Sequence, residues 1–165
     1  MELEAIVEIP RGSRNKYEMN HETGELWLDR ELFTATRYPT DYGFVPNTLA
    51  EDGDPLDVLV IVDEPTFPGC HIQVRPIGVF WMRDEAGPDA KVLTVPVADP
   101  RWDGVEDLDG VPAFMLQEIS NFFEIYKTLE PGKSTHTAGW QGRAEAEQAV
   151  EEARKRYGNG ERQDD

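Results

Sequence analysis

The sequence predicts an α+β domain in which helices cover a small closed or nearly closed β-barrel. Three observations carry this expectation. Short alternating or apolar runs, punctuated by Gly and Pro, fill the first hundred residues. Two stretches with helical spacing follow beyond Asp99. Between the early runs lies an acidic turn, Asp52-Gly53-Asp54-Pro55-Leu56-Asp57, which leads directly into Val58-Leu59-Val60-Ile61-Val62. Strands grouped first and helices grouped last is the α+β order.

The elements follow in chain order. Leu3, Ala5, Val7 and Ile9 alternate along a strand that ends at Pro10 and puts Glu8 on its other face. Asn15 to Met19 forms a second strand, with Lys16 and Glu18 on one side and Tyr17 on the other. His21-Glu22-Thr23-Gly24 turns the chain into Leu26-Trp27-Leu28-Asp29-Arg30. Residues 31–50 hold Tyr38-Pro39-Thr40-Asp41-Tyr42-Gly43-Phe44 and read as an ordered loop. Residues 58–62 form a buried strand, and Pro65 and Pro68-Gly69 break the chain after it. A long strand over 71–82 is interrupted at Pro76 and Gly78. Residues 83–89 form a hairpin-like loop, and 91–97 form another apolar strand. Pro112 opens a helix whose buried face carries Met115, Ile119, Phe122 and Tyr126, and Pro131-Gly132 ends it. Ala146, Ala149, Val150, Ala153 and Tyr157 repeat the spacing in a second helix that Gly158 stops, leaving 158–165 as a frayed tail. A single domain over 1–165 is expected.

Composition narrows the function. Sixteen basic against 33 acidic side chains leave a net charge of −17. Nucleic acids and anionic lipids need a basic footprint, so both are poor partners. Cys70 is the only cysteine, which excludes an intrachain disulfide and a Cys-based zinc cluster. The start, Met1-Glu2-Leu3-Glu4, has no basic and apolar leader pattern, and no apolar run approaches membrane length. A soluble cytoplasmic protein is expected.

The acidic turn is the first chemical signal. Crowded carboxylates repel unless cations lie between them, and oxygen-only ligands suit Mg²⁺, Mn²⁺ or Ca²⁺. Alone, the stretch fits a solvated turn equally well. Asp84, Glu85 and Asp89 crowd a second loop, with Glu85 read as a surface or indirect group. Lys16, Arg30, Lys91 and Lys127 are surface ion-pair partners, or else part of a mixed shell in which carboxylates hold metals and Lys, Arg and Tyr hold phosphate oxygens. His21, His71 and His136 lack paired ligand spacing and read as structural or exposed.

At this point a resemblance enters. Asp52-Gly53-Asp54-Pro55-Leu56-Asp57-Val58 resembles the motif of family I soluble inorganic pyrophosphatases. Ile6-Val7-Glu8-Ile9-Pro10, Lys16-Tyr17-Glu18, Leu28-Asp29-Arg30, Tyr38-Pro39-Thr40-Asp41-Tyr42-Gly43, Asp84-Glu85-Ala86-Gly87-Pro88-Asp89-Ala90-Lys91 and Phe122-Phe123-Glu124-Ile125-Tyr126-Lys127 occur in the family's order. The match runs from about residue 3 to 157 and looks like the bacterial type. It implies an OB-like barrel with flanking helices, a homohexamer, and Mg²⁺-dependent hydrolysis of pyrophosphate to two phosphates. It further implies several Mg²⁺ per site, with Mn²⁺ or Zn²⁺ as substitutes, Ca²⁺ as an inhibitor, and pyrophosphate arriving as its magnesium complex.

The resemblance also implies residue roles. Asp52, Asp57 and Asp89 hold the tightest metal, with Asp57 reaching a second. Asp84 and Asp89 hold another metal, and Glu18 serves a further one partly through water. Asp54 takes the proton of the attacking water. Lys16, Arg30, Tyr42, Tyr126 and Lys127 bind phosphate, while Glu8, Tyr38 and Lys91 support the site. Two positions depart from the family: Ser134 stands where an aromatic residue is frequent, and Ala86 where some relatives carry a longer side chain. A calcium-binding module and a nucleic-acid-binding barrel are the competing readings. The first needs none of Lys16, Arg30 or Lys127, and the charge opposes the second.

Overall fold

The computed structural model describes residues 1–161. Eight strands and two helices carry the architecture. β1 (Leu3–Ile9) pairs antiparallel with β4 (Asp41–Phe44) along one edge and with β6 (His71–Asp84) along the other. β4 continues to β5 (Asp57–Val60), β5 runs parallel to β7 (Gly87–Pro96), and β7 returns antiparallel to β6. β8 (Thr135–Gly142) adds to the free edge of β6. β2 (Asn15–Met19) and β3 (Leu26–Glu31) form a separate hairpin.

Both faces of the central strands are buried, which is why β5 reads as a continuous apolar run. On one face Ile9, Leu59, Ile77, Phe80, Leu93 and Val95 pack with Ile119, Phe122 and Phe123 of α1 (Ala113–Ile125). On the other, Leu3, Ala5, Val58, Val60, Val79 and Val92 pack with Ala146, Val150 and Ala153 of α2 (Arg143–Glu161). Each helix presents its apolar stripe to a different face of one sheet, giving the α+β arrangement that the element order implies.

Several local expectations need correction. Part of the expected 31–50 loop is strand β4, and Gly43 is the reason it fits. A Cβ there would lie 1.9 Å from the Ile6 carbonyl oxygen, so only Gly allows β4 to press against β1. The expected 83–89 loop is a two-residue turn at Glu85 and Ala86, because β6 and β7 pair out to Asp84 and Gly87. Thr135–Gly142, to which the sequence assigns no element, forms an edge strand; its backbone pairs with β6 although its side chains are weakly apolar. α1 ends at Ile125, short of Pro131-Gly132, and Tyr126 forms its C-cap. α2 continues through Gly158 to Glu161, since Gly158 does not take the left-handed conformation that ends a helix. The remainder of the expected tail, 162–165, lies outside the described residues.

Irregularities in the strands position side chains. The β1–β4 register slips between Val7 and Ile9, which leaves Glu8 as the extra residue and turns its carboxylate inward. The β2–β3 register slips between Lys16 and Tyr17, with Asp29 unpaired opposite them. Strict alternation fails there. Tyr17, expected on the face away from Lys16, packs on the core and also borders the same cavity as Lys16 and Glu18. The expected interruption of β6 is present as a slip between Pro76 and Gly78.

Candidate active site

One cavity of about 180 Å³ opens where the β2–β3 hairpin, the acidic turn, the β6–β7 turn and the C-terminal end of α1 meet. Asp52, Asp54 and Asp57 reach it from the acidic turn and the start of β5. Asp84 comes from β6, Asp89 and Lys91 from β7, and Glu8 from the slipped position in β1. Lys16 and Glu18 arrive from β2, Tyr42 from β4, and Tyr126 and Lys127 from the turn after α1. Arg30 and Tyr38, also singled out from the sequence, stand back from the cavity.

The acidic turn is built by its own chemistry. Gly53 sits at φ 91°, and the Asp54 amide donates to Asp52 Oδ1 at 3.0 Å. This directs the turn's carboxylates outward while Leu56 and Val58 anchor it in the core. Burial raises the Asp52 pKa, and repulsion from Asp89, Asp54 and Asp84 adds to that despite the Asp54 amide. Burial pushes Asp89 up to about 6, with Lys91 opposing and Asp57 reinforcing.

Lys91 is the buried cation among these acids. Its Nζ donates to Tyr42 Oη at 2.9 Å, Asp89 Oδ2 at 3.0 Å and Asp57 Oδ2 at 3.1 Å. Burial disfavours the ammonium, but Asp57 and Asp89 outweigh it and hold its pKa well above the usual lysine value. Glu8 Oε2 accepts the Met19 amide at 2.8 Å, yet burial pushes the carboxyl up to about 7. Tyr38 is buried behind Tyr42 at a ring separation of 5.5 Å. Burial holds the Tyr42 and Tyr126 hydroxyls protonated, above the usual phenol range, so both are donors at neutral pH.

The cationic side has its own framework. Asp29 Oδ2 accepts Lys16 Nζ at 2.9 Å and also Arg30 Nη1. Arg30 Nη2 in turn meets Glu130. Lys127 Nζ lies 3.8 Å from Asp84 and 3.7 Å from Glu85, and Lys133 reaches Glu85 at 3.1 Å. Glu85, read from the sequence as a surface or indirect group, is exposed and pairs with two lysines. Asp29 and Glu130 are contributors that sequence reasoning passed over. Asp29 sits inside the Leu28-Asp29-Arg30 motif, whereas Glu130 meets a partner 100 residues away and gives no local signal. His21 is exposed at the rim, edge-on to Phe44.

The donor set tests whether a hard cation fits. The acids are all-oxygen donors, and among the described residues Lys91 is the cation bonded to both Asp57 and Asp89. Asp52 and Asp89 are raised toward protonation by burial first and by neighbouring carboxylates second, and a bound cation would relieve the second. Among the described residues no three ligating side chains are already drawn to a common point. The acids instead ring the cavity, and divalent ions match both their charge and their chemistry.

Comparison with known proteins agrees with this geometry. The inorganic pyrophosphatase family model matches residues 5–158. An inorganic pyrophosphatase from Streptomyces coelicolor is 61% identical over 157 residues, covering 95% of this chain and 96% of that protein. One from Leifsonia xyli is 55% identical, covering 90% and 91%. The crystal structure of inorganic pyrophosphatase from Thermus thermophilus superposes with a TM-score of 0.92 at 47% identity, covering 94% of this chain and 91% of that one.

Proposed function

The chain belongs to the inorganic pyrophosphatase family and is a hydrolase that cleaves pyrophosphate to phosphate, and from that premise we propose that it does so by direct attack of water, with Asp54 as proton acceptor. The observation that carries the proposal is the meeting of acids from five segments with Lys16, Tyr42, Tyr126 and Lys127 around a single cavity. The family works with a divalent metal cofactor, which we assign as Mg²⁺ held by Asp52, Asp57, Asp84, Asp89 and Glu18. Bound there, the ions neutralise the substrate and lower the pKa of water.

The chain's own groups supply the rest. Asp54 is exposed at the cavity, where its carboxylate can orient a water and take its proton. Lys16 and Lys127 at the cavity, with Arg30 behind it, are the charge-assisted donors we assign to phosphate oxygens, and Tyr42 and Tyr126 add neutral O–H donors. Lys91 draws Asp57 and Asp89 to one ammonium and so fixes where the two carboxylates sit. Glu8 and Tyr38 brace β2 and Tyr42. The substrate enters as its magnesium complex, because free pyrophosphate is repelled by a chain of charge −17.

We further read the β1–β6 pairing as closing the sheet into a small OB-like barrel, and 1–165 as one domain. Mn²⁺ or Zn²⁺ as substitutes, inhibition by Ca²⁺, a homohexamer and a cytoplasmic location complete the reading. In its support, no helix among the described residues is long and apolar enough to cross a membrane. A phosphate-release assay on pyrophosphate and on ATP tests the proposal. Release from pyrophosphate with Mg²⁺, abolished by chelator, is expected. Undiminished release in chelator would overturn the metal assignment.

A further inference from the structure

Glu130 is one of the few acidic side chains that this chain buries. Its carboxylate is only 5% exposed, and both oxygens meet Arg30 Nη2, at 2.9 and 3.0 Å. Its backbone amide donates to the Lys127 carbonyl at 3.0 Å, closing the turn that follows Tyr126 and Lys127. Arg30 lies on β3 beside Asp29, and Asp29 also holds Lys16. A continuous series, Lys16–Asp29–Arg30–Glu130, thus joins the β2–β3 hairpin to the end of α1.

Two features give this series a role in binding rather than in folding alone. Its charges sum to zero, so it attracts a phosphate less by net charge than by donors held in place. Arg30 Nε is buried without a partner among the described residues, so the donors open to a ligand are the remaining N–H groups of Nη1 and Nη2, whose directions Asp29 and Glu130 fix. Glu130 engages Nη2 alone and Asp29 engages Nη1, and together they fix the plane of the guanidinium. Arg is suited to this use because its planar fork fixes several donors at once.

We propose that Glu130 is a positioning residue for pyrophosphate binding. It holds the Arg30 guanidinium by its carboxylate and the Tyr126–Lys127 turn by its backbone, and so sets the distance between the two phosphate-binding groups. The proposal rests on the reading of Arg30 as a phosphate ligand.

The test is steady-state kinetics on magnesium pyrophosphate for the full-length protein and its Glu130→Gln, Glu130→Asp, Arg30→Ala and Glu130→Gln/Arg30→Ala variants, with thermal unfolding of each. Loss of one charge-assisted contact predicts a rise in KM of about tenfold in Glu130→Gln, with kcat changed much less. Glu130→Asp keeps the charge but shortens the reach, and it raises KM similarly. The double variant is no worse than Arg30→Ala. Wild-type KM in both Glu130 variants, with KM raised in Arg30→Ala, overturns the proposal. So does wild-type KM in Glu130→Asp alone, which would make charge the determinant. Unchanged KM in Arg30→Ala instead removes the phosphate reading of Arg30 itself. Should Glu130→Gln fail to fold, the Glu130→Asp comparison still decides.

Discussion

Lys91 and Asp57 stand opposite each other on the parallel strands β7 and β5, and the Lys91 ammonium bonds the Asp57 carboxylate at 3.1 Å. The same ammonium reaches Asp89, two residues back along its own strand, at 3.0 Å. The spacing of the two carboxylates is therefore set by sheet register and by one buried cation. Breaking a buried pair by deleting one partner leaves the other charge stranded.

Lys91→Met should accordingly lower folding stability by about 3 kcal/mol. The loss should be smaller in Mg²⁺ than in chelator, since a divalent ion takes over the missing charge. Thermal unfolding in the two buffers checks this. Equal losses in both would mean that metal and lysine do not share those carboxylates.

Asp54→Asn should retain divalent-ion binding while kcat falls by about 10² to 10⁴, the usual contribution of a positioned general base. Calorimetric titration with Mg²⁺ beside a turnover assay separates the two. Parallel loss of both would make Asp54 a ligand instead.

Glu8 gives the chain a pH dependence of stability. Its pKa rises from 4.5 to about 7 on folding, so between those values the folded state binds a proton that the unfolded chain has released. Stability must then fall as pH rises through this window, by roughly 3 kcal/mol from this group alone. Glu8→Gln still accepts the Met19 amide but carries no charge. Denaturant unfolding at pH 5 and pH 8, without metal, should show the slope in the wild type and a flatter profile in the variant. Identical profiles would show that Glu8 is ionised at no such cost.

Gly43→Ala forces a methyl group into the Ile6 carbonyl, which as backbone cannot move aside without breaking the β1–β4 ladder. A loss of about 3 kcal/mol or more is expected, at the upper end of single-residue effects. A melting temperature close to wild type would show that the two strands can separate freely.

The legibility of this fold follows from where its energy lies. β1 and β5 carry apolar side chains on buried faces, so their sequences declare them. β4 and β8 are held by backbone pairing and by Gly at close approaches, which leaves no apolar pattern to read. The acids of the cavity were visible because three of them share one short turn. Strand slips at Glu8 and Asp29 aim side chains where strict alternation does not send them, and the burial of Glu8 becomes apparent only with the register known. Glu130 was silent because its meaning depends on a partner brought in from β3 by tertiary packing.

The central claim is that Asp52, Asp57 and Asp89 together hold a hard cation over this cavity. Crystals grown with Mn²⁺, which stands in for Mg²⁺ and gives an anomalous signal, test it directly. The expected result is an anomalous peak in contact with all three carboxylates. Anomalous peaks confined to other acids, with those three carboxylates unligated, would contradict it.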